Sequence, residues 1–452
     1  MTLKLTPPQQ VEEILTNFSQ AGYEIFIVGG VVRDAILGKS LYDWDFTTSA
    51  TPEEILKLYP DAFYDNKFGT VGIEDSQKGR PYEITTYRTE HGYSDSRHPD
   101  EVKWGKSLEE DLARRDFTIN AMALKQIRPG EFEIIDPYHG EQDAQNKVIR
   151  SVGNPTARFS EDALRMMRAV RIAAQLGFAI EEQTLEAIRI NAPLISKVSG
   201  ERVRDELLKI MASESPADGY LLLHNCGLGE EILPEMEKTF GVQQQSPGRH
   251  HIYDVGTHSV ESVRNCQSPD PITRLATLIH DVGKVRTQKV FPDGKITFYN
   301  HEMESAKIAT KIAERLRFSN AQTDKFFRLV RWHQFTVDER QTDSAVRRFI
   351  HNVSKDNILD MLSLRVGDRL GGGARETSWR LERFKQRLVD VQKQPFSVTD
   401  LKINGRDIME VKQVPTGPQV GKYLAALFKE VVDKGVPNEK EALLERLKQI
   451  SA

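Results

Sequence analysis

Two glycines and two aspartates near the N-terminus form a pattern that could bind and activate phosphates. Gly29 and Gly30 follow apolar residues 26–28, and Asp43 and Asp45 come shortly after. Glycines at a strand end let backbone N–H groups approach a triphosphate, and the helix expected next would point its N-terminus at it. Aspartates at i and i+2 on a strand face the same side and could hold two Mg²⁺ ions, which would activate a hydroxyl and stabilise leaving pyrophosphate.

A second set of residues, in the C-terminal half, could also bind a metal. Neutral imidazoles and carboxylates suit hard to borderline divalent cations, and a water activated there could attack a phosphoester. Each histidine alone would more often be a surface or satisfied core residue, so a site for Mn²⁺, Ni²⁺ or Co²⁺ is predicted only if the order of all six residues matches that of a known metal-binding family. A metal kept only for structure is the alternative. In chain order the residues are His258, His280, Asp281, His301, His333 and Asp368.

The elements that must position these residues change along the chain. The N-terminal third alternates short β-rich runs with turns, which indicates a small α/β head. Beyond it the pattern is helical, with apolar residues at helix spacing after Ser160, which stands where an N-cap belongs. His280 and Asp281 are predicted on a buried helix, where both need a partner. The expected units are a head at 1–155, a neck at 156–240, a third unit at 241–376 and a tail at 377–452.

Composition narrows the possibilities further. With 452 residues, 39% of them hydrophobic and 28% charged, the chain should form several folded domains. It has no apolar run long enough to span a bilayer and no secretory signal, so we expect a cytoplasmic protein without membrane contact. Cys226 and Cys266 are too few for a disulfide framework. Because the net charge is −4, any surface for nucleic acid must be local.

The glycine and aspartate motif resembles that of the class II tRNA nucleotidyltransferases and bacterial poly(A) polymerases, within the DNA polymerase β superfamily. The similarity continues through ordered segments at residues 88–104, 108–123, 136–143, 158–178 and 201–207. It therefore covers nearly half of the chain. The positions of the first motif are all present: Gly29, Gly30, Val32, Arg33, Asp34, Leu37, Gly38, Asp43, Asp45, Thr47 and Thr48.

The resemblance implies a template-independent enzyme that adds or repairs the 3′-terminal CCA of tRNA from CTP and ATP. Asp43 and Asp45 would be catalytic and bind Mg²⁺, with Glu83 on a neighbouring strand as a candidate third carboxylate. Arginine suits the nucleotide site because its planar fork can bind a phosphate through two hydrogen bonds. The implied nucleotide-binding residues are Gly29, Gly30, Arg33, Arg114, Arg115, Asn120, Asp162, Arg165, Arg168 and Arg171.

The segment at residues 161–165 looks like the part of the family that selects the base. On a helix, Asp162 and Arg165 would share a face. Together they offer acceptors and paired donors that match the edge of cytosine or adenine and mismatch guanine and uracil. An ordinary surface ion pair on the first turn of a helix is the alternative that the residues alone allow.

The segment at residues 88–104 corresponds to a loop that the family needs for adding A, and it has full length here, with His98 where arginine is common. Addition of the terminal A is therefore expected. Addition of A alone remains open, and so does a poly(A) polymerase, although the basic C-terminal extension of that branch is absent. A chain that is mainly a hydrolase would be expected to have a degraded head motif, and the motif is intact.

The six histidines and aspartates of the C-terminal half resemble the HD phosphohydrolase superfamily in order and local context. The segment after residue 400 resembles the helical tail of family members that carry such a domain. The resemblance thus implies an α+β protein: a polymerase-β-type nucleotidyltransferase head with a mixed sheet and helices, then an all-helical neck, an HD domain and a helical tail.

Overall fold

The computed structural model describes residues 2–65, 69–75, 81–91, 101–105, 107–244, 253–335, 337–338, 340–392, 398–432 and 435–450. Of the described residues, those of the head up to residue 145 form ten strands, five helices and a 3₁₀ turn at Thr118–Asn120. Its strands are β1 (Thr2–Lys4), β2 (Ile25–Val28), β3 (Asp45–Thr48), β4 (Phe63–Asp65), β5 (Thr70–Ile73), β6 (Tyr82–Thr86), β7 (Arg88–His91), β8 (Glu101–Trp104), β9 (Ala123–Arg128) and β10 (Glu131–Ile135). Its helices are α1 (Gln9–Gln20), α2 (Gly30–Ile36), α3 (Pro52–Leu58), α4 (Leu108–Ala113) and α5 (Gly140–Gln145).

Eight of these strands form one mixed sheet in the order β1-β10-β9-β2-β3-β6-β5-β4, and β7 and β8 pair separately. Strands β3 and β6 are parallel, whereas β2 is antiparallel to both of its neighbours. In this register Val28 at the end of β2 lies opposite Asp45 at the start of β3, and Asp45 lies opposite Glu83 in β6. The topology therefore places the glycine turn and two carboxylates at one edge of the sheet.

The neck is helical apart from one short strand, β12 (Ala179–Ile180), which departs from the all-helical expectation. It pairs in parallel with β11 (Val148–Ile149) at the end of the head. The helices are α6 (Pro155–Glu161), α7 (Leu164–Leu176), α8 (Glu182–Asn191), α9 (Gly200–Met211), α10 (Pro216–Asn225), α11 (Leu228–Ile232) and α12 (Pro234–Glu237), with a 3₁₀ segment at Ala192–Lys197.

The expected N-cap at Ser160 is wrong. Helix α6 begins earlier, where Asn154 accepts a hydrogen bond from the backbone N–H of Ala157. Ser160 lies inside that helix and donates to the carbonyl of Thr156 at 2.9 Å. The reason is that Asn154 followed by proline at the first helical position is itself a strong start signal.

The third region places His258 and His301 on helices, and His280 and His333 directly after helix ends. It also contains a small hairpin, β13 (Lys289–Val290) with β14 (Ile296–Thr297), so it is not all-helical either. The helices are α13 (Val255–Arg264), α14 (Pro271–Ile279), α15 (Lys284–Thr287), α16 (His301–Arg315), α17 (Asn320–Trp332), α18 (Asp343–Val353) and α19 (Ile358–Gly371), with a 3₁₀ turn at Lys355–Asn357. His280 and Asp281 are buried as predicted, but they follow the end of α14 and form the turn before α15.

The tail consists of α20 (Trp379–Gln392), α21 (Gly405–Lys412), α22 (Pro418–Val432) and α23 (Lys440–Gln449), with a 3₁₀ turn at Val398–Asp400. Helices α21 to α23 surround a core of their own. Helix α20 instead contributes Phe384, Leu388 and Val391 to the larger core, where Phe384 packs against Phe335 and Phe349. The first helix of the predicted tail therefore packs with the unit before it.

One hydrophobic core extends from the neck through the third region. It includes Met167 in α7, Ile210 in α9, Leu275 in α14 and Ile312 in α16, all fully buried. The head sheet has a separate core around Ile27, Phe46 and Val71. The neck and the third region thus share a scaffold, although their candidate sites are separate.

Two further expectations concern membrane contact and the loop associated with adding A. Within the described residues, no helix combines the length and apolar character needed to cross a membrane. Residues 92–100, which form the centre of the loop associated with adding A and include His98, lie outside the described residues.

Candidate active sites

A cleft of about 610 Å³ lies between the edge of the head sheet and the neck. Every predicted head residue lines it except Asp43. Eight arginines face it, which supplies the local positive charge that the net charge of the chain conceals. These arginines are Arg33, Arg88, Arg114, Arg115, Arg165, Arg168, Arg171 and Arg202.

Glycine is required at the first position of the turn for two reasons: the backbone conformation there and the lack of space for a Cβ atom. Gly29 has φ +82°, in the left-handed region, and a Cβ atom there would lie 3.2 Å from Oδ2 of Asp45. Gly30 begins α2, as the strand-turn-helix pattern predicts. The backbone of this turn can therefore approach a ligand in the cleft without a side chain between them.

The carboxylates of the head are arranged differently from the strand-face prediction. Asp45 is the first residue of β3, whereas Asp43 precedes the strand and is exposed. The third carboxylate, Glu83, is opposite Asp45 on β6. Burial, then the charges of Glu83 and Asp43, raise the pKa of Asp45 to about 7, against the opposing effect of Arg115. Such mutual repulsion is what a bound cation would relieve, so these residues fit the predicted metals.

Arg114 and Arg115 are held in place by a residue that the sequence analysis did not single out. Asp111 is fully buried, and its two oxygens accept from Nη2 of Arg114 at 2.6 Å and Nη2 of Arg115 at 3.0 Å. Burial alone would raise the pKa of Asp111, but the two guanidinium groups outweigh it and lower that pKa. The spacing i, i+3 and i+4 on α4 was the available signal.

Other polar contacts orient the remaining predicted residues. Arg33 donates from Nη1 to Oδ1 of Asn120 at 2.8 Å, which joins α2 to the 3₁₀ turn. Arg168 pairs with buried Asp116 at 2.7 Å. Burial alone would raise the pKa of Asp116, but Arg168 and Arg165 outweigh that effect and lower it. These arginines therefore enter the cleft in fixed directions.

Asp162 and Arg165 both line the cleft, but they do not share a helix face. Helix α6 ends at Glu161, and Asp162 has an extended backbone with φ −142° and ψ 104° between α6 and α7. Its carboxylate binds both Nη atoms of Arg202, at 2.7 and 3.3 Å. Arg165 pairs with Glu161 at 2.7 Å and donates to the carbonyl of Arg114 at 3.2 Å.

Arg202 was therefore missed as a site residue. Its position inside the predicted segment 201–207 was the only signal, because its partner is 40 residues away in sequence. Asp162 and Arg165 are directed into the cleft by their ion partners rather than by one helix.

The six predicted residues of the third region form one cluster, in which His301 contacts Asp281 and His333 but belongs to neither group of atoms close enough for a shared ion. Oδ1 of Asp281 lies 3.2 Å from Nε2 of His301 and 3.7 Å from Nε2 of His333, and its Oδ2 lies 3.2 Å from Nε2 of His280. Nε2 of His258 is 3.2 Å from Oδ1 of Asp368 and 3.5 Å from Asp281. Two overlapping triads have ligand atoms close enough for one ion: His258, His280, Asp368 and His280, Asp281, His333.

Backbone carbonyls set the orientation of three of these imidazoles. Nδ1 of His280 lies 2.6 Å from the carbonyl oxygen of Thr277. Nδ1 of His301 lies 2.9 Å from that of Phe298, and Nδ1 of His333 lies 2.7 Å from that of Val330. A proton on Nδ1 leaves the lone pair of Nε2 facing the cluster, as in histidines that bind metals.

The charges of the cluster also fit a cation. Asp281 forms a 2.6 Å ion pair with Lys284. Burial lowers the pKa of His280, but Asp281 and Asp368 outweigh it and raise that pKa to about 10. Burial and the neighbouring His280 instead lower the pKa of His333 to about 3. Among the described residues, buried Nε2 of His280 has no partner with hydrogen-bond geometry. A divalent ion would satisfy this nitrogen and both carboxylates.

Family models match three parts of the chain. Residues 25–150 match the poly A polymerase head domain. Residues 177–240 match a model described as "Probable RNA and SrmB-binding site of polymerase A". Residues 295–447 match tRNA nucleotidyltransferase domain 2. The two models before residue 241 fall in the predicted head and neck.

Relatives and solved structures extend the similarity over the full length. A CCA-adding enzyme of Lactiplantibacillus plantarum is 33% identical, covering 98% of this chain and 96% of the relative. Another, from Levilactobacillus brevis, is 34% identical over 96% of each chain. The structure of the Bacillus stearothermophilus CCA-adding enzyme in complex with CTP superposes with a TM-score of 0.71, at 29% identity and 98% coverage of each chain.

Proposed function

The chain belongs to the family of CCA-adding enzymes, and on that premise we infer that it is a tRNA nucleotidyltransferase. It transfers nucleotides from CTP and ATP to the 3′ end of tRNA and releases pyrophosphate. The observation that carries this function is the composition of the head cleft, where the carboxylates at the edge of the sheet face a wall of arginines. Such a cleft is complementary to a triphosphate with its cations.

Residues at different positions in the cleft have different roles. The glycine turn allows close approach of the phosphates, and Arg114, Arg115 and Arg168 stabilise their negative charge. Asp43 and Asp45 would hold Mg²⁺, with Glu83 as a third candidate, and the ions would supply positive charge at the reacting phosphate. Arg114, Arg115 and Arg168 are preorganised by the contacts described above, so these side chains need little rearrangement when the nucleotide binds.

Selection of the base falls to Asp162 and Arg165. Cytosine and adenine each present an amino donor beside a ring-nitrogen acceptor, which one carboxylate and one guanidinium can match. Without a nucleotide these groups pair with Arg202 and Glu161. Binding of the base would exchange those ion pairs for contacts with its edge.

The test gives the full-length protein three tRNAs that end at the discriminator base, at C and at CC. CTP and ATP are supplied separately and together, and the product lengths are measured. Completion of CCA on all three tRNAs is the expected result. Extension of only the tRNA that ends in CC would instead mean an A-adding enzyme, and long homopolymers would mean a poly(A) polymerase.

We propose a second, metal-dependent phosphohydrolase activity at the histidine cluster, which fits a resident divalent ion by the observations above. A bound metal would supply Lewis acidity there. The substrates would be 2′,3′-cyclic or 3′ phosphates at RNA ends. Water adds to phosphorus and one P–O bond breaks, so the cyclic diester becomes a monoester, and the monoester becomes inorganic phosphate and the free 3′ hydroxyl that the head requires.

Assays with Mn²⁺, Ni²⁺, Co²⁺ and Mg²⁺ on cyclic and linear 3′ phosphates test this second activity. Hydrolysis by the wild type, lost when His280→Ala and Asp281→Ala are combined, is the expected result. Absence of hydrolysis with every one of these metals would overturn the activity, and the cluster would then be a structural site.

A further inference from the structure

A hairpin with exposed aromatic residues forms one rim of the histidine cluster. It comprises β13, β14 and the residues up to the start of α16. Tyr299 is 72% exposed, and Val290 and Phe291 on the same hairpin are 66% and 43% exposed. Single exposed apolar residues such as Val290 and Phe291 are common on protein surfaces, but Tyr299 also lines the cleft beside the cluster, which indicates a binding role for its ring.

One cleft of about 490 Å³ connects this rim to the cluster. It is lined by Tyr299 and Lys295 from the hairpin and also by Asp281, His301 and Asp368 from the cluster. A ligand whose phosphate lies at the cluster can therefore extend along the same cleft to the ring of Tyr299.

The position of Tyr299 is tied to the metal-binding geometry. Asn300 adopts a left-handed conformation with φ +61° and ends the hairpin one residue before α16. The carbonyl of Phe298 contacts Nδ1 of His301 at 2.9 Å, and Nζ of Lys284 lies 5.4 Å from the centre of the Phe298 ring. The residues on both sides of Tyr299 are thus fixed relative to the cluster.

The cations of the cleft continue from the cluster to the rim. Lys284 and Arg365 form ion pairs with Asp281 and Asp368, at 2.6 and 2.9 Å, so they sit where a phosphate would bind. Lys295 precedes Tyr299 on the same hairpin, is exposed, and lines the same cleft. Tyr299 is therefore an exposed ring at the end of a cleft lined by cations, a combination by which proteins bind single-stranded nucleic acid, with a base stacked on the ring.

We propose that the second site takes a phosphate that carries a nucleobase, and that Tyr299 selects it by stacking on the base while Lys295 faces the adjacent phosphate or sugar. This rests on the hydrolase activity proposed above. The base-bearing phosphate can be a free nucleotide or the 3′ end of an RNA. A docking site for an apolar protein segment is the opposing interpretation, and it would leave hydrolysis of nucleotides independent of Tyr299.

The experiment compares Tyr299→Ala, Tyr299→Phe and Lys295→Ala with the wild type in the full chain loaded with Mn²⁺. Three monoesters are hydrolysed: 3′-AMP, a short RNA with a 3′ phosphate, and glycerol 2-phosphate, which has no base. Tyr42→Ala is the matched control, because Tyr42 is a similarly exposed tyrosine, at 73%, on the head.

Tyr299→Ala should raise KM about tenfold for the base-bearing substrates, a typical effect of losing one stacked base, and leave glycerol 2-phosphate unchanged. Tyr299→Phe should retain the wild-type KM, because the ring is kept. An effect on both 3′-AMP and RNA identifies any base-bearing phosphate as substrate, and an effect on RNA alone identifies the RNA end. Equal effects on all three substrates, or none, overturn the proposal.

Equilibrium dialysis of 3′-AMP, with excess CTP to occupy the head, separates this inference from the hydrolase activity. If no substrate is hydrolysed but 3′-AMP binding weakens in Tyr299→Ala and not in Tyr299→Phe, base recognition stands while the hydrolase fails. Binding that is the same in all variants overturns base recognition whether or not hydrolysis occurs.

Discussion

The head cleft and the histidine cluster both fit divalent cations, but they are built in opposite ways. In the head, Asp43 and Glu83 are exposed and only Asp45 is partly enclosed, while arginines form the opposite wall. In the cluster, His258, His280 and Asp281 are almost fully buried. The head therefore suits ions that arrive with the nucleotide and leave with pyrophosphate, whereas the cluster suits an ion that stays bound.

This difference also shows in how each site is supported. Some cleft side chains are held by ion pairs that a substrate can replace, as Arg202 holds Asp162 and Glu161 holds Arg165. The imidazoles of His301 and His333 are held by backbone carbonyls, which cannot be exchanged. A site that turns over its ligands and a site that retains one can thus be told apart from their supporting contacts.

The largest expected effect is on the carboxylates of the head. Asp45→Ala or Asp43→Ala should reduce nucleotide addition by at least about 10³-fold, because charge at the reacting phosphate is no longer balanced. Hydrolysis at the histidine cluster should not change. Incorporation of labelled CTP and ATP measures the effect, with exposed Asp61→Ala as control. Full incorporation by either variant at ordinary Mg²⁺ would refute the assignment of the metals.

A second prediction concerns the shared scaffold. Leu275→Ala should lower the free energy of unfolding by about 2–5 kcal/mol, because it leaves a cavity in the core common to neck and third region. Hydrogen exchange should then increase in both α9 and α14. Leu443→Ala is the matched control, since it lies in the separate core of the tail and should affect only α21 to α23. Faster exchange confined to α14 and its neighbours would show that the two regions fold separately.

The smallest effect is expected on base selection. Asp162→Ala or Arg165→Ala should let UTP or GTP compete about tenfold better, because a lost pair of hydrogen bonds is worth roughly 1–3 kcal/mol of discrimination. Arg202→Ala should act in the same direction through Asp162. Incorporation from mixtures of all four nucleotides measures this, with Arg189→Ala, an exposed neck arginine, as control. Unchanged selectivity in all three variants would make the segment a scaffold only.

In both sites, the parts that could be predicted from the sequence consist of residue types with restricted chemical roles. The glycine turn was predictable from its order and spacing with Asp43 and Asp45, and the structure gives Gly29 the positive φ that the turn needs. The clustering of the six histidines and aspartates was expected from their resemblance in order to the HD phosphohydrolase superfamily, and for His280 and Asp281 also because buried polar residues need partners. The mixed sheet of the head followed from the same motifs and is confirmed.

Features that depend on distant pairs were not predictable. Asp162 lies at the break between α6 and α7 and pairs with Arg202 in α9. Local periodicity cannot predict where α9 lies relative to that break. The spacing of Asp111 from Arg114 and Arg115 is short and visible in the sequence, but the burial that makes Asp111 a support rather than a surface partner is not. Likewise, α20 joins the larger core through Phe335 and Phe349, which lie far from it in sequence.

Metal content measured alongside nucleotide addition tests the central contrast most directly. The wild type and the combined His280→Ala and Asp281→Ala variant are passed through gel filtration without added metal, analysed for bound ions, and assayed for tRNA extension with and without Mg²⁺. We predict about one transition-metal ion per wild-type chain, none in the variant, and extension that depends on added Mg²⁺ equally in both. A wild type without bound metal, or a folded variant that no longer extends tRNA, would contradict the account.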